Sequence, residues 1–105
     1  MSKAVASKAK LDALGGGRFR LSGVLDATTA GDVLEQSEQR FAAAERLDVD
    51  LGGVAESDSA GLALLIEWVR CARKRQQEIR FQNVPAQINA LAKISEVEDL
   101  ITGGA

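Results

Sequence analysis

The stretch Asp58-Ser59-Ala60-Gly61-Leu62-Ala63-Leu64-Leu65 stands where a predicted strand gives way to a predicted helix. Residues 47–51 alternate apolar and acidic side chains, which predicts a strand with one buried face. We expect 52–57 to be a loop, and apolar residues at helical spacing predict a helix from Ser59 to about Gln76. A carboxylate and a hydroxyl therefore stand where free helix N–H groups point outward. This junction is the best candidate for a functional site.

The segments before the junction predict a hairpin and a helix. Residues 10–14 and 18–25 are predicted strands joined by Gly15-Gly16-Gly17, a loop that tolerates positive φ. Residues 26–29 offer caps for an amphipathic helix. Its predicted buried stripe comprises Ala30, Val33, Leu34, Ser37, Phe41 and Ala44.

The segments after the junction predict a fourth strand, at 79–82, and further helices. We expect Asn83 to cap a helix with Pro85 in its first turn, and 95–98 has capping-box spacing for a short final helix or turn. The order β-β-α-β-α-β-α predicts an α/β fold: a mixed, mostly parallel sheet of four to five strands covered by helices. Residues 10–102 would form this domain, and 1–9 a flexible tail.

Composition limits the classes of function. The chain has 105 residues, 46% hydrophobic and 27% charged, which is typical of one soluble globular domain. With a net charge of −2, we expect no strong electrostatic attraction to nucleic acid or anionic membranes. With no His and a single Cys, the chain has no His-based acid–base chemistry, Cys/His metal site or internal disulfide, and we expect neither enzyme activity nor a cofactor.

We expect a cytoplasmic protein that meets a membrane only through a partner. The N-terminal residues 1–10 lack the apolar run of a signal peptide. The longest apolar run, 62–66, is too short to span a bilayer.

Asp58 and Ser59 are both candidates for the helix cap, and Ser59 has a second interpretation. Either residue can cap the helix, which contributes about 1 kcal/mol. Ser59 can also be a phosphate acceptor, favoured by the helix dipole and opposed by the neighbouring Glu56 and Asp58. No His or Lys lies close in sequence, so a nucleophilic serine is not favoured.

The helix after Ser59 has two apolar sides. One predicted side, which should cover the sheet, comprises Leu62, Leu65, Ile66, Val69 and Ala72. Leu64, Trp68 and Cys71 lie on a separate flank. That flank either packs against a neighbouring helix or forms part of a protein-binding surface beside Ser59, since Trp is a frequent interface anchor.

Three other features favour structural interpretations. The cations Arg70, Arg73, Lys74 and Arg75 complement the negative end of the helix, and no aromatic residues accompany them as in a nucleic-acid site. The loop Gly15-Gly16-Gly17 lacks the Lys-Ser/Thr of a phosphate loop. The single Cys71 is interpreted as a packed, inert thiol.

The predicted element order, with Val49-Asp50-Leu51-Gly52-Gly53-Val54 and Asp58-Ser59-Ala60-Gly61-Leu62, resembles the STAS domain family over about residues 11–101. This is the fold of bacterial anti-sigma-factor antagonists and of the cytoplasmic tails of sulfate transporters. In the antagonists, a serine at the position of Ser59 is phosphorylated by a partner kinase, which switches partner binding. In Mla-type lipid ABC transporters, a small stand-alone STAS subunit binds the cytoplasmic ATPase, and the matching position is often threonine.

The Asp-Ser/Thr-x-Gly-Leu core is common to both groups, but 61–68, 81–92 and 95–100 are more similar to the transporter subunit. The resemblance implies a non-enzymatic subunit of a phospholipid ABC transporter that maintains outer-membrane lipid asymmetry. It would dock on the ATPase, in a complex with a permease, at the inner membrane. The alternative is an anti-sigma-factor antagonist with a serine-kinase partner and Ser59 as phosphosite. The candidate partner-binding or regulatory residues are Asp58, Ser59, Gly61, Leu62, Leu64 and Trp68.

Overall fold

The computed structural model of the protein describes residues 9–102, in which strands and helices alternate as the sequence predicts. The elements are β1 (Ala9–Gly15), β2 (Arg18–Leu25), α1 (Ala27–Ala42), β3 (Arg46–Ser57), α2 (Ser59–Lys74), β4 (Glu78–Gln82), α3 (Ala86–Ile94) and α4 (Glu98–Ile101). The predicted α/β class and element order are confirmed. Of the predicted tail, residues 1–8 lie outside the described residues, and Ala9 is already a buried residue of β1.

The sheet has four strands in the order β1-β2-β3-β4. The hairpin of β1 and β2 is antiparallel, whereas β3 runs parallel to both β2 and β4. Because β2 and β3 are parallel, their carboxyl ends lie side by side, and Leu25 pairs with Ser57 there. Both long helices start at this end of the strands.

One face of the sheet is buried and the other is charged. The buried side chains alternate along the strands as Leu11, Phe19, Leu21, Leu47 and Val49, and they form the core with the helices. The opposite face pairs charges of opposite sign across neighbouring strands, in the rows Asp12–Arg20–Asp50 and Arg18–Asp48–Arg80. Such cross-strand pairs stabilise a solvated sheet face modestly and fix its register.

The expected loop at 52–57 is wrong, because β3 continues through Ser57. In the structure β2 supplies pairing partners as far as Leu25 and keeps this segment extended. Two register shifts in this pairing accommodate the extra residues of β3. A side chain at Gly53 would meet the Cβ of Ser22 at 2.7 Å, so the close approach of the two strands requires glycine there.

Two predicted caps of the later helices are also wrong. Asn83 does not cap α3, whose N-cap is Pro85 without a side-chain hydrogen bond. Instead Asn83 takes a left-handed conformation, with φ of 55°, and its side chain bonds to Asp50 of β3. The capping-box spacing at 95–98 does not form a box: Ser95 ends α3, and α4 starts after Val97 with no side-chain cap.

The flank of α2 that carries Leu64 and Trp68 is buried, with side chains 3% and 2% exposed. The indole Nε1 of Trp68 donates to the Ser37 hydroxyl of α1 at 2.8 Å, and its ring lies 5.0 Å from the ring of Phe41. Packing against a neighbouring helix is therefore confirmed, and the expectation that Leu64 and Trp68 present a surface to a partner is wrong. The sequence left both outcomes open because Ser37, which Trp68 contacts, lies 31 residues earlier in the chain.

Replacing Ser37 with Ala should destabilise the protein by about 1–3 kcal/mol, because the buried Trp68 N–H then loses its acceptor. The free energy of unfolding in urea, followed by tryptophan fluorescence, measures this loss. The matched control is Ser59→Ala, which removes an exposed hydroxyl and should change stability by less than about 0.5 kcal/mol. Equal stabilities for the two variants would contradict the buried hydrogen bond.

Candidate functional site

Asp58 forms the turn between β3 and α2. It has the extended backbone of an N-cap, and its Oδ1 accepts a hydrogen bond from the N–H of Ala60 at 2.8 Å. Its own N–H donates to the carbonyl of Leu25 at 3.2 Å, which ties the turn to the end of β2. Of the two candidates for the cap of α2, Asp58 is therefore the residue that caps the helix.

Ser57 is a part of the site that the sequence analysis missed. Its side chain is 8% exposed, its N–H donates to Gln87 Oε1 of α3 at 3.0 Å, and its hydroxyl donates to the Asp58 carbonyl at 3.1 Å. These bonds satisfy polar groups at a strand end that would otherwise be buried without partners. No local pattern could have indicated this role, because Gln87 lies 30 residues further along the chain.

Ser59 donates no hydrogen bond within the described residues, whereas its neighbours Asp58 and Ala60 do. It is the first residue of α2 and is exposed, and within residues 9–102 neither its hydroxyl nor its N–H makes a hydrogen bond. Because Asp58 supplies the cap, capping does not explain the serine. The hydroxyl is thus available to another molecule at the positive end of a helix dipole, beside the exposed carboxylates of Glu56 and Asp58.

Gly61 and Leu62 have positional roles. Gly61 is buried, and a Cβ there would collide with the Ser57 hydroxyl and lie 3.3 Å from Cδ1 of Ile88 in α3. Leu62 is 6% exposed and belongs to the core. Of the six candidate residues, the structure therefore leaves Asp58 and Ser59 exposed and places Gly61, Leu62, Leu64 and Trp68 inside.

The solvent side of α2 continues from Ser59 as a stripe at helical spacing. We define the outer stripe of α2 as Ser59, Ala63, Glu67 and Arg70. The Arg70 Nη2 donates to Glu67 Oε2 at 2.8 Å, and this bond and the arginine charge lower the pKa of Glu67. The stripe thus begins with two small side chains and ends with an ion pair.

Asp50 lies in β3 opposite Gln82, the last residue of β4. Its Oδ1 accepts hydrogen bonds from Asn83 Nδ2 at 2.9 Å and from the N–H of Gly52 at 2.8 Å. These two bonds, followed by the charge of Arg20, lower the pKa of Asp50. The carboxylate therefore stays charged at neutral pH and holds the turn from β4 towards α3.

The part of the chain that the structure describes contains no group of three or more His, Cys, Asp or Glu residues that could hold a metal ion. Across the same residues, no helix combines the length and the apolar character needed to cross a membrane.

The fold and the β3–α2 junction define a STAS domain. The family model described as "Mlab, STAS domain" matches residues 12–102, and the chain belongs to this MlaB-type STAS family. The structure is similar to that of the anti-sigma factor antagonist SpoIIAA in its unphosphorylated form, with a TM-score of 0.69 and 12% identity over 90% of this chain and 85% of that one. No curated protein sequence matches the chain. The resemblance inferred from the sequence is thus confirmed at the level of family and fold.

Replacing Gly61 with Ala should destabilise the protein by about 1–3 kcal/mol, since the added methyl group collides with Ser57. Gly31 in α1 provides the matched control, because a Cβ there meets nothing within 4 Å. Gly31→Ala should stabilise the protein by about 0.5–1 kcal/mol through helix propensity. Urea unfolding of both variants tests the close approach of Gly61 to Ser57. A stabilising effect of Gly61→Ala would contradict it.

Proposed function

We propose that this protein is a non-enzymatic regulatory subunit of a bacterial Mla-type phospholipid ABC transporter, in which it binds and stabilises or activates the cytoplasmic ATPase. The observation that carries the proposal is the match of the MlaB-type family model across residues 12–102. A second observation supports the location of the site: Ser59 is exposed, while its neighbours hold the junction in place.

The docking surface would be the outer stripe of α2. Ser59 and Ala63 are exposed and small, so a partner can approach the helix backbone closely there. Neither side chain is required by the fold, since Asp58 supplies the cap and the core lies on the other side of the helix. The ion pair of Glu67 and Arg70 would form the rim of this surface, where charged residues contribute mainly to specificity.

ATP would belong to the partner. The chain carries no phosphate loop, and the described residues present hydrogen bonds that build the junction rather than a nucleophile paired with a base. The protein would therefore work in the cytoplasm, at the periphery of the inner membrane, through a complex of ATPase and permease. Phospholipid movement and outer-membrane lipid asymmetry would depend on it indirectly.

A second candidate is an anti-sigma-factor antagonist, and the free hydroxyl of Ser59 is the observation that favours it. An exposed serine at a helix start is accessible to a kinase. A phosphate there would add about −1.5 to −2 charge beside Glu56 and Asp58, which would repel an acidic or apolar partner surface. In this case Ser59→Asp should mimic the phosphorylated serine and prevent partner binding.

Ala63→Arg should remove the ATPase from an affinity purification of the tagged protein from its native membranes. The long charged side chain would stand on the outer stripe one turn after Ser59, and we expect an affinity loss of at least about tenfold. The matched control is Ala42→Arg, which makes the same change at an exposed alanine at the end of α1, on the opposite side of the domain from the junction.

Mass spectrometry of the partners and of Ser59 separates the two candidates. An ABC ATPase and permease, with unmodified Ser59, support the transporter subunit. A serine kinase or sigma-regulating protein, with phosphate on Ser59, would replace that proposal with the antagonist. Equal ATPase recovery with both arginine variants would leave the partner in place but contradict the docking surface.

A further inference from the structure

The outer side of β4 is one of the two lateral edges of the sheet. The strand is last in the order β1-β2-β3-β4, so within residues 9–102 only β3 pairs with it. At the other end of the sheet, Arg40 of α1 donates from Nη1 to the carbonyl of Leu11 in β1 at 3.2 Å. An unpaired strand edge is a template for another strand.

A groove of about 550 Å³ runs along this edge of the sheet. It is bounded by β4, the last turns of α2 and the α4 segment, so open space separates the strand from α4. Its apolar lining comes from Val69, Ile79, Phe81 and Leu100. Ile79 and Phe81 are only half-buried, so a strand added here would bury more of both side chains.

The charges of β4 alternate so that the strand complements itself. Glu78 and Arg80 are two residues apart, both exposed and on the same face of the strand. In an antiparallel pair with a second copy, centred on Ile79, each Glu78 stands opposite Arg80 of the second copy. The same register places the two Ile79 side chains together on the groove side. Centring the pair on Glu78 or Arg80 would instead set like charges opposite each other.

We propose that the protein self-associates through β4, whose antiparallel pairing with a second copy joins two four-stranded sheets into one of eight strands. The occupant of the edge is a second copy because one short strand carries both halves of the charge pattern, related by a two-fold axis. The existing ion pair of Glu78 does not prevent this, since Glu78 Oε1 lies 3.9 Å from Arg46 Nη1 and both side chains are largely exposed. In this register only residues 78–80 face their counterparts in β4 of the second copy, because Phe81 and Gln82 stand opposite Gln77 and Gln76 before the strand. The dimer is therefore weak and concentration-dependent. The inference is independent of the proposed function.

Sedimentation velocity of the full chain over a concentration series tests the dimer. The wild-type protein should move from monomer towards dimer as its concentration rises. Arg80→Glu replaces both ion pairs with like-charge pairs and should raise the dissociation constant by at least about tenfold. The double variant E78R/R80E exchanges the two charges and should restore the dimer. Arg75→Glu, at the exposed end of α2, makes the same change in net charge and should leave the dimer intact.

Several outcomes would overturn the proposal. A wild-type protein that stays monomeric at its highest soluble concentration rules out self-pairing, as does a dimer that withstands Arg80→Glu while both proteins remain folded by circular dichroism. Both variants also set a second carboxylate beside Asp48 of β3, so their folding is checked by circular dichroism as well. A dimer lost in folded Arg80→Glu and not restored by the folded double variant rules out the register. A monomeric protein that loses its affinity-purified partner on Arg80→Glu would assign the edge to a strand of that partner instead.

Discussion

The first turn of α2 can lie against the end of β3 only because residue 61 has no side chain. A Cβ there would occupy the position of the Ser57 hydroxyl and press on Ile88. Because the turn fits closely, Asp58 can cap the helix while Ser57 bonds to Gln87 in α3. The junction therefore joins β3, α2 and α3 at the carboxyl end of β3, and its geometry directs Ser59 outward.

Much of the architecture follows from the periodicity of the sequence. The alternation of Phe19 and Leu21 with arginines, and the helical spacing of Val33, Ser37 and Phe41, fixed the faces of β2 and α1 correctly. Such patterns report which side of an element meets the core. The mispredicted loop at 52–57 depends on a strand distant in the chain, because the pairing of Gly53 with Ser22 keeps β3 extended.

The candidate site was predictable only where it depends on residues close together in the chain. An acid and a hydroxyl between a strand and a helix indicated the junction, and the Asp58 cap is local. The burial of Trp68 was not predictable, because an apolar flank has the same spacing whether α1 or another protein covers it. The contribution of Gln87 was equally hidden, since its bond to Ser57 depends on how α3 folds back on the sheet.

A STAS fold alone does not determine a partner, since one scaffold can present different exposed side chains. In this protein the exposed positions at the junction are few: Ser59 and Ala63 lie outward, while Leu62 and Leu64 are enclosed. The proposed docking surface is therefore a small part of α2, and the residues around it stabilise the fold.

The most direct test of this account is the amide hydrogen exchange of individual residues at the junction, measured by NMR. The N–H groups of Ser57 and Asp58 bond to Gln87 and Leu25, whereas that of Ser59 has no partner among the described residues. The account predicts slow exchange at Ser57 and Asp58 and fast exchange at Ser59. Exchange at Ser57 and Asp58 as fast as at Ser59 would contradict the claim that a fixed junction presents a free serine.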